Sequence, residues 1–225
     1  RDLPSGFSVL TLWTLGGIVA LCGALSYAEL ATAFPRAGGE YNFLSRIYGR
    51  AVGFLAGWIS ATVGFAAPVA LASMALGAYA SGVFPGVPRL PLALATIWIV
   101  TGILLSGAKP GIMFNNAATF LKVALILGFI IAGFTVGTPQ PISFAPSSQA
   151  LGYIVSAPFA IGLVFVMYSY SGWNAVTYIA DEVKDPARTL PPSIILSVVI
   201  VMVLYVGLNA VLLYTTPMAK MAGQI

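Results

Sequence analysis

Uninterrupted apolar runs of membrane-spanning length follow one another along this chain, and they leave few folds open. A helix needs about 20 apolar residues to cross the hydrocarbon core of a bilayer. Six stretches meet or approach that length, at about 8–33, 51–80, 91–107, 114–136, 152–180 and 192–216, with ends set to within roughly 2–4 residues. The third is short for a span; the second and fifth are long, so tilt or a break is expected there. Lipid offers the backbone no hydrogen bonds, so a spanning segment is either a helix or a strand of a closed barrel. Runs such as Val198-Val199-Ile200-Val201-Met202-Val203-Leu204 have no in–out alternation, which argues against a barrel. Only 7% of the 225 residues are charged, against roughly 25% in a soluble domain. The chain reads as an all-α, multi-pass membrane protein: one transmembrane domain over residues 1–225.

The connections carry turn chemistry. Phe34-Pro35-Arg36-Ala37-Gly38-Gly39-Glu40 closes the first span, Phe84-Pro85-Gly86 the second, Lys109-Pro110-Gly111 the third, and Asp181-Glu182-Val183-Lys184-Asp185-Pro186 the fifth. Thr138-Pro139-Gln140-Pro141 opens a loop running to about Gln149. Loops on one side hold six cations, Arg36, Arg46, Arg50, Lys109, Lys184 and Arg188; the other side holds three, Arg1, Arg89 and Lys220. That excess places the first set in the cytoplasm. The basic residues are scattered singly, so no nucleic-acid partner is expected. Glu40 to Arg50, with Phe43, Leu44 and Ile47 beside Arg46 and Arg50, is either a short interfacial helix or an ordinary loop. The start at Arg1, without a charged leader, and the stop soon after an apolar run suggest a fragment of a longer chain.

The fifth span carries the most chemical information. It contains Tyr168-Ser169-Tyr170-Ser171-Gly172-Trp173-Asn174 about halfway along. Gly and Ser weaken helix continuity, and backbone at that depth can open where it faces a cavity. A break near Ser171-Gly172 would end the upper half-helix in free carbonyls, which favour a cation, and start the lower half with free N–H groups, which favour an anion. Broken helices of this kind form substrate sites near the bilayer midplane; the plainer alternative is a polar kink that only packs. Lys122 lies eight residues into the fourth span, about 12 Å from its start. An ionisable residue at that depth is a functional candidate, either as a fixed positive charge or as a proton carrier, the alternative being snorkelling to the surface. Glu29, nearer the cytoplasmic end of the first span, suits a structural pairing with a loop arginine. Gly49, Gly53 and Gly57 form a small-residue packing face, and Pro68 and Pro158 are expected to kink their spans.

With no histidine and one cysteine, Cys22, a His-assisted triad, a His-ligated metal and a thiolate cluster are all excluded. The glycines do not form a P-loop. No enzyme activity, catalytic residue, metal or cofactor is expected.

Two segments resemble a known family. Gly23-Ala24-Leu25-Ser26-Tyr27-Ala28-Glu29-Leu30, followed by Phe34-Pro35-Arg36-Ala37-Gly38-Gly39-Glu40-Tyr41, is similar to the second helix and first cytoplasmic loop of the amino acid–polyamine–organocation superfamily. Tyr170-Ser171-Gly172-Trp173-Asn174 with the Asp181 to Pro191 loop resembles its sixth helix and the loop beyond. The nearest likeness is to the L-type amino acid transporter branch and its bacterial relatives. The resemblance implies a LeuT-like inverted-repeat fold, with the six spans as helices two to seven and the repeat seam near Thr138 to Gln149. It implies a secondary carrier in a cell membrane, the bacterial inner membrane, working by alternating access as an exchanger or a proton-coupled symporter. Substrate-binding positions carry over to Tyr168, Ser169, Ser171, Gly172, Trp173 and Asn174, with Ser171 where the family often has glycine; coupling positions carry over to Lys122 and Tyr205. The implied partners are an amino-acid substrate, membrane lipid and protons as coupling ion. Because Glu29 is the only carboxylate inside a span, neutral amino acids are favoured over polyamines or cationic amino acids. A non-transporting membrane scaffold is the rival of a different class.

Overall fold

A computed structural model describes residues 5–217; Arg1 and Lys220, counted above for orientation, lie outside the described residues. The described residues contain helices and no strand. In chain order the α-helices are α1 Gly6–Ala33, α2 Gly39–Ile47, α3 Arg50–Ile59, α4 Ala67–Val83, α5 Arg89–Leu105, α6 Ala108–Val136, α7 Ser148–Ile154, α8 Ala157–Ser169 and α9 Pro186–Thr215. A π-helical segment, Ser60–Ala66, joins α3 to α4, and a 3-10 helix, Trp173–Glu182, follows α8. Five helical stretches are long and apolar enough to cross a membrane: Gly6–Ala33, Arg50–Val83, Ala108–Val136, Ala157–Glu182 and Pro186–Thr215. Helix α5 has 17 residues and rises about 26 Å, somewhat under a hydrocarbon thickness of about 30 Å.

Hydroxyl side chains inside these helices turn back onto their own backbone. Thr11 and Thr14 donate to the carbonyls of Phe7 and Leu10 at 2.8 Å, and Ser26 donates to Cys22 O at 3.0 Å. This gives each hydroxyl a partner where water would be absent.

The chain divides into two compact units, Arg1–Gly39 together with Ala124–Ile225, and Glu40–Val123. The first is built on α1, which packs along α9 and against α8. One face of α1 is almost wholly small: Gly16, Gly17, Ala20, Ala24, Ala28 and Ala31 are buried. Small residues let helix backbones approach where no hydrophobic force drives them together. The α9 side supplies Leu190, Ile194, Val198 and Val211, all buried. At one end of this unit the loop after α6 meets both helices: Phe7 N–H donates to Ser143 O, and Gln140 N–H donates to Tyr214 O. At the other end Gly38 N–H donates to Tyr178 O at 3.2 Å. The loop around Gln140 and the loops around Gly38 and Lys184 therefore mark opposite ends of the α1–α9 pair.

In the second unit, Glu40–Val123, the segment from Glu40 to Arg50 forms a helix, α2, over most of its length. The three spaced glycines separate by role. A Cβ on Gly57 would lie 3.1 Å from the Tyr41 ring, and one on Gly53 would collide with Ser45, so both receive α2. Gly49 has nothing within 4 Å of that position; it is instead the N-cap of α3 at φ +96°, a backbone that glycine adopts readily. Packing accounts for two of the three. Pro68 falls at the start of α4, directly after the π segment. It has no N–H to return to Gly64, and the ladder before it is in the wider π register. Pro158 corrects the expectation of a kink: it sits in the first turn of α8 behind the N-cap Ser156, where the missing N–H is harmless. The stretch read as one span from about 152 is therefore α7, a turn, and α8.

On a Cys22→Ala background, single cysteines at Arg36 and Lys184 should label with a membrane-impermeant maleimide from one face only, and a cysteine at Thr138 from the other. Labelling of positions 36 and 138 from the same face would exclude this arrangement of α1 and α9.

Candidate functional site

The chain opens at the centre of the Ala157–Glu182 stretch. Helix α8 stops at Ser169. Tyr170 N–H donates to the carbonyls of Val166 and Met167 at 3.2 Å, and Ser171 N–H donates to Tyr168 O at 3.1 Å. Gly172 then takes φ +100°, ψ −9° and caps the 3-10 helix that begins at Trp173. A side chain at that φ is strained, so glycine is what permits the reversal. Below the break Ala175 N–H donates to Gly172 O at 3.1 Å, and the buried Thr177 donates to Asn174 O at 2.7 Å.

One detail of the sequence expectation changes. The carbonyls ending the upper half-helix are not left free. Val166, Met167 and Tyr168 are tied by the turn itself, and Ser169 O accepts a hydrogen bond from the Tyr205 hydroxyl of α9 at 3.1 Å. Each carbonyl oxygen carries two lone pairs, so acceptor capacity remains, but it is already oriented. On the lower side the N–H groups of Gly172 and Trp173 have no hydrogen-bond partner among the described residues.

Aromatic residues brace the break. Trp13 of α1, Tyr170 and Tyr205 pack around one another, with ring centroids 5.2 Å apart for Trp13–Tyr205 and for Tyr170–Tyr205 and 6.0 Å for Trp13–Tyr170. The Tyr170 hydroxyl donates to Trp13 O at 3.0 Å, and Tyr170 is only 3% exposed. Trp173 lies over Gly23, where a Cβ would come 2.8 Å from its ring, and it meets Tyr27 edge-on at 5.0 Å and 90°.

The structure thus brings Tyr168, Ser169, Ser171, Gly172, Trp173, Asn174 and Tyr205 to one place. Tyr168, Ser169, Ser171 and Gly172 are exposed, and Trp173 and Asn174 are half-buried. Lys122 belongs to the other unit. It is exposed on α6, which begins at Ala108, earlier than expected. Its depth is therefore about 21 Å along a helix of about 43 Å, near the middle. Glu29 is exposed near the end of α1. Sequence reasoning passed over Tyr170 and Trp13; the signal was present in Gly16-Gly17 placed just after a tryptophan and in an aromatic set inside a polar run.

Comparison with known proteins identifies the family. A family model described as amino acid permease matches residues 3–225. The chain belongs to the amino acid permease family. It is 31% identical over 209 residues to the human cystine/glutamate transporter, covering 89% of this chain and 41% of that protein. It is 30% identical over 211 residues to the mouse b(0,+)-type amino acid transporter 1, covering 89% and 42%. With the serine/threonine exchanger of Bacillus subtilis it shares 27% identity over 215 residues, covering 93% and 48%. The chain spans about half the length, or somewhat less, of these curated relatives. Family and helices together make it a multi-pass membrane protein, and the relatives are transporters, not enzymes.

The glycine at the break yields a prediction. Nothing stands within 4 Å of a Cβ on Gly172, so crowding is not the penalty; its positive φ is. A side chain there costs at least about 1 kcal/mol, and a β-branched one more. Gly172→Val should cut uptake by roughly 10-fold or more while Ser171→Ala stays near wild type, both measured by radiolabelled uptake with a fluorescence check of folding. A folded Gly172→Val protein with normal uptake would mean that the break can be lost without consequence.

Proposed function

We propose that this permease is a secondary carrier of amino acids in the bacterial inner membrane, working by alternating access with the helix break as its substrate site. The observation that carries the reading is the opening at Ser169–Trp173, where oriented carbonyls and unpartnered N–H groups occur within a few residues at mid-span. A zwitterionic amino acid carries one group suited to each. Backbone polarity in a spanning segment is costly unless something uses it, which supports a carrier over a passive scaffold. Tyr168, Ser169, Ser171, Gly172, Trp173 and Asn174 line the proposed site, and Tyr205 orients Ser169 O there.

Neutral amino acids are the favoured substrates. A cationic side chain or a polyamine would call for a carboxylate near the break, and Glu29 stands six residues, about 9 Å of helix rise, beyond the Gly23 that Trp173 covers. Lys122 is proposed as the coupling charge: mid-helix, it either stands in for a bound cation or carries the proton of a symport cycle. Exchange and proton symport are both open to such a site.

Two measurements test this. In proteoliposomes holding the intact carrier, L-serine or L-leucine uptake should saturate and be driven by internal amino acid or by an inward proton gradient, while L-arginine and putrescine are carried poorly. Absence of saturable uptake of any of them would overturn the carrier reading. Lys122→Ala should lower uptake by more than about 10-fold at normal expression, with no rescue by Lys122→Arg, whose guanidinium does not give up its proton. Normal transport by Lys122→Ala would reduce the lysine to a snorkelling role.

A further inference from the structure

We infer that Tyr170 is a positioning residue, bolting the end of the broken helix to α1 through the backbone of Trp13; the inference rests on the break being the substrate site. Within α1 the carbonyl of Trp13 has its ordinary partner four residues on, at Gly17 N–H. Its second lone pair takes the Tyr170 hydroxyl at 3.0 Å. The hydroxyl can reach a mid-helix carbonyl because α1 is notched there. A Cβ on Gly17 would stand 3.1 Å from the hydroxyl oxygen, and one on Gly16 would stand 3.4 Å from the Tyr170 ring.

Tyr170 is also the residue whose own N–H closes α8, donating to Val166 and Met167. Its backbone ends the helix while its side chain fastens that end to a neighbour. Immediately before it, Ser169 O is held from α9 by Tyr205. Adjacent residues are therefore tied to two different helices, one by donating and one by accepting. Trp13 packs against both tyrosine rings, 5.2 Å from Tyr205 and 6.0 Å from Tyr170, and the two rings meet each other at 5.2 Å. The free lone pairs of Tyr168 and Ser169 and the N–H groups of Gly172 and Trp173 all lie within three residues of this bolt. The directions of the Tyr168 and Ser169 carbonyls are thus set before any ligand arrives, and a site arranged in advance binds more tightly than one that must be ordered by its ligand.

Tyr170→Phe keeps the ring in its notch and removes only the hydroxyl. In proteoliposomes of the intact carrier, with whichever of L-serine or L-leucine the wild type carries better, its KM should rise by about 3- to 20-fold, the worth of one interhelical hydrogen bond in a membrane. Maximal rate per folded carrier and melting temperature in detergent should stay near wild type. If Tyr170 only fills space, KM will be unchanged and any loss will appear in melting temperature or in the amount of folded carrier; that result overturns the inference. Gly17→Ala is the second variant should Tyr170→Phe not fold. It crowds the same hydroxyl with Tyr170 intact, its other neighbour being the flexible Met202 side chain, and the same rise in KM is expected. A wild type that carries neither of these nor L-arginine nor putrescine would instead refute the carrier reading itself.

Discussion

The structure depends on one constraint: inside a bilayer no water is available to satisfy a backbone that leaves its helix. Most of the chain answers it with long helices whose hydroxyls fold back onto carbonyls one turn earlier. The exception is the stretch from Ser169 to Trp173. There the helix is interrupted, and part of the polarity exposed by the interruption is taken up again, by a 3-10-like turn at Tyr170 and Ser171 and by Tyr205 from α9. The N–H groups of Gly172 and Trp173 are among those that remain. An interruption this closely supported has the character of a built feature.

The support comes from α1, and α1 can give it because it is small on one side. Gly16, Gly17 and Gly23 leave room for Tyr170 and Trp173, while Ala20, Ala24, Ala28 and Ala31 continue the buried face. Large residues on that face would hold α8 and the 3-10 helix away. The tyrosine hydroxyl would then lose the Trp13 carbonyl, and the tryptophan its edge-on contact with Tyr27. The glycines of α1 are thus part of the site, although none of them faces the opening as a donor or acceptor.

The sequence made legible what depends on local composition. Spans announce themselves by apolar length, and the break near Ser171-Gly172 by five consecutive non-aliphatic residues in a spanning helix. The family was legible in motifs flanking two loops. What depends on side-chain partners far along the chain was not legible. Nothing near Tyr170 says that its hydroxyl reaches a carbonyl 157 residues away, and nothing near Ser169 says that Tyr205 occupies its oxygen. Proline was misread for a related reason: its effect follows from its place in a helix, and Pro158 begins one where an interior position was expected. Of the three glycines spaced by four, the spacing held the packing role of two and hid the backbone role of Gly49.

The pattern of attachments also says where this unit keeps its freedom. The 3-10 helix is held at its start by Trp173 on Gly23. Toward its far end Gly38 N–H holds Tyr178 O, and Gly39, at φ +49°, lies close enough that a Cβ would stand 2.9 Å from the Tyr178 ring. Helix α8 is held to α1 by Tyr170 and to α9 by Tyr205. Both halves of the broken stretch are therefore fastened to the same long helix, and between them stand Ser171 and Gly172, exposed, with no side-chain hydrogen bond to it among the described residues and nothing within 4 Å of a Cβ on Gly172. Rotation about a glycine already at positive φ meets the least steric resistance of any position in the stretch. A rearrangement of the two halves must either turn there or first release one of the tyrosine bonds, and the fold has made those two routes different in kind.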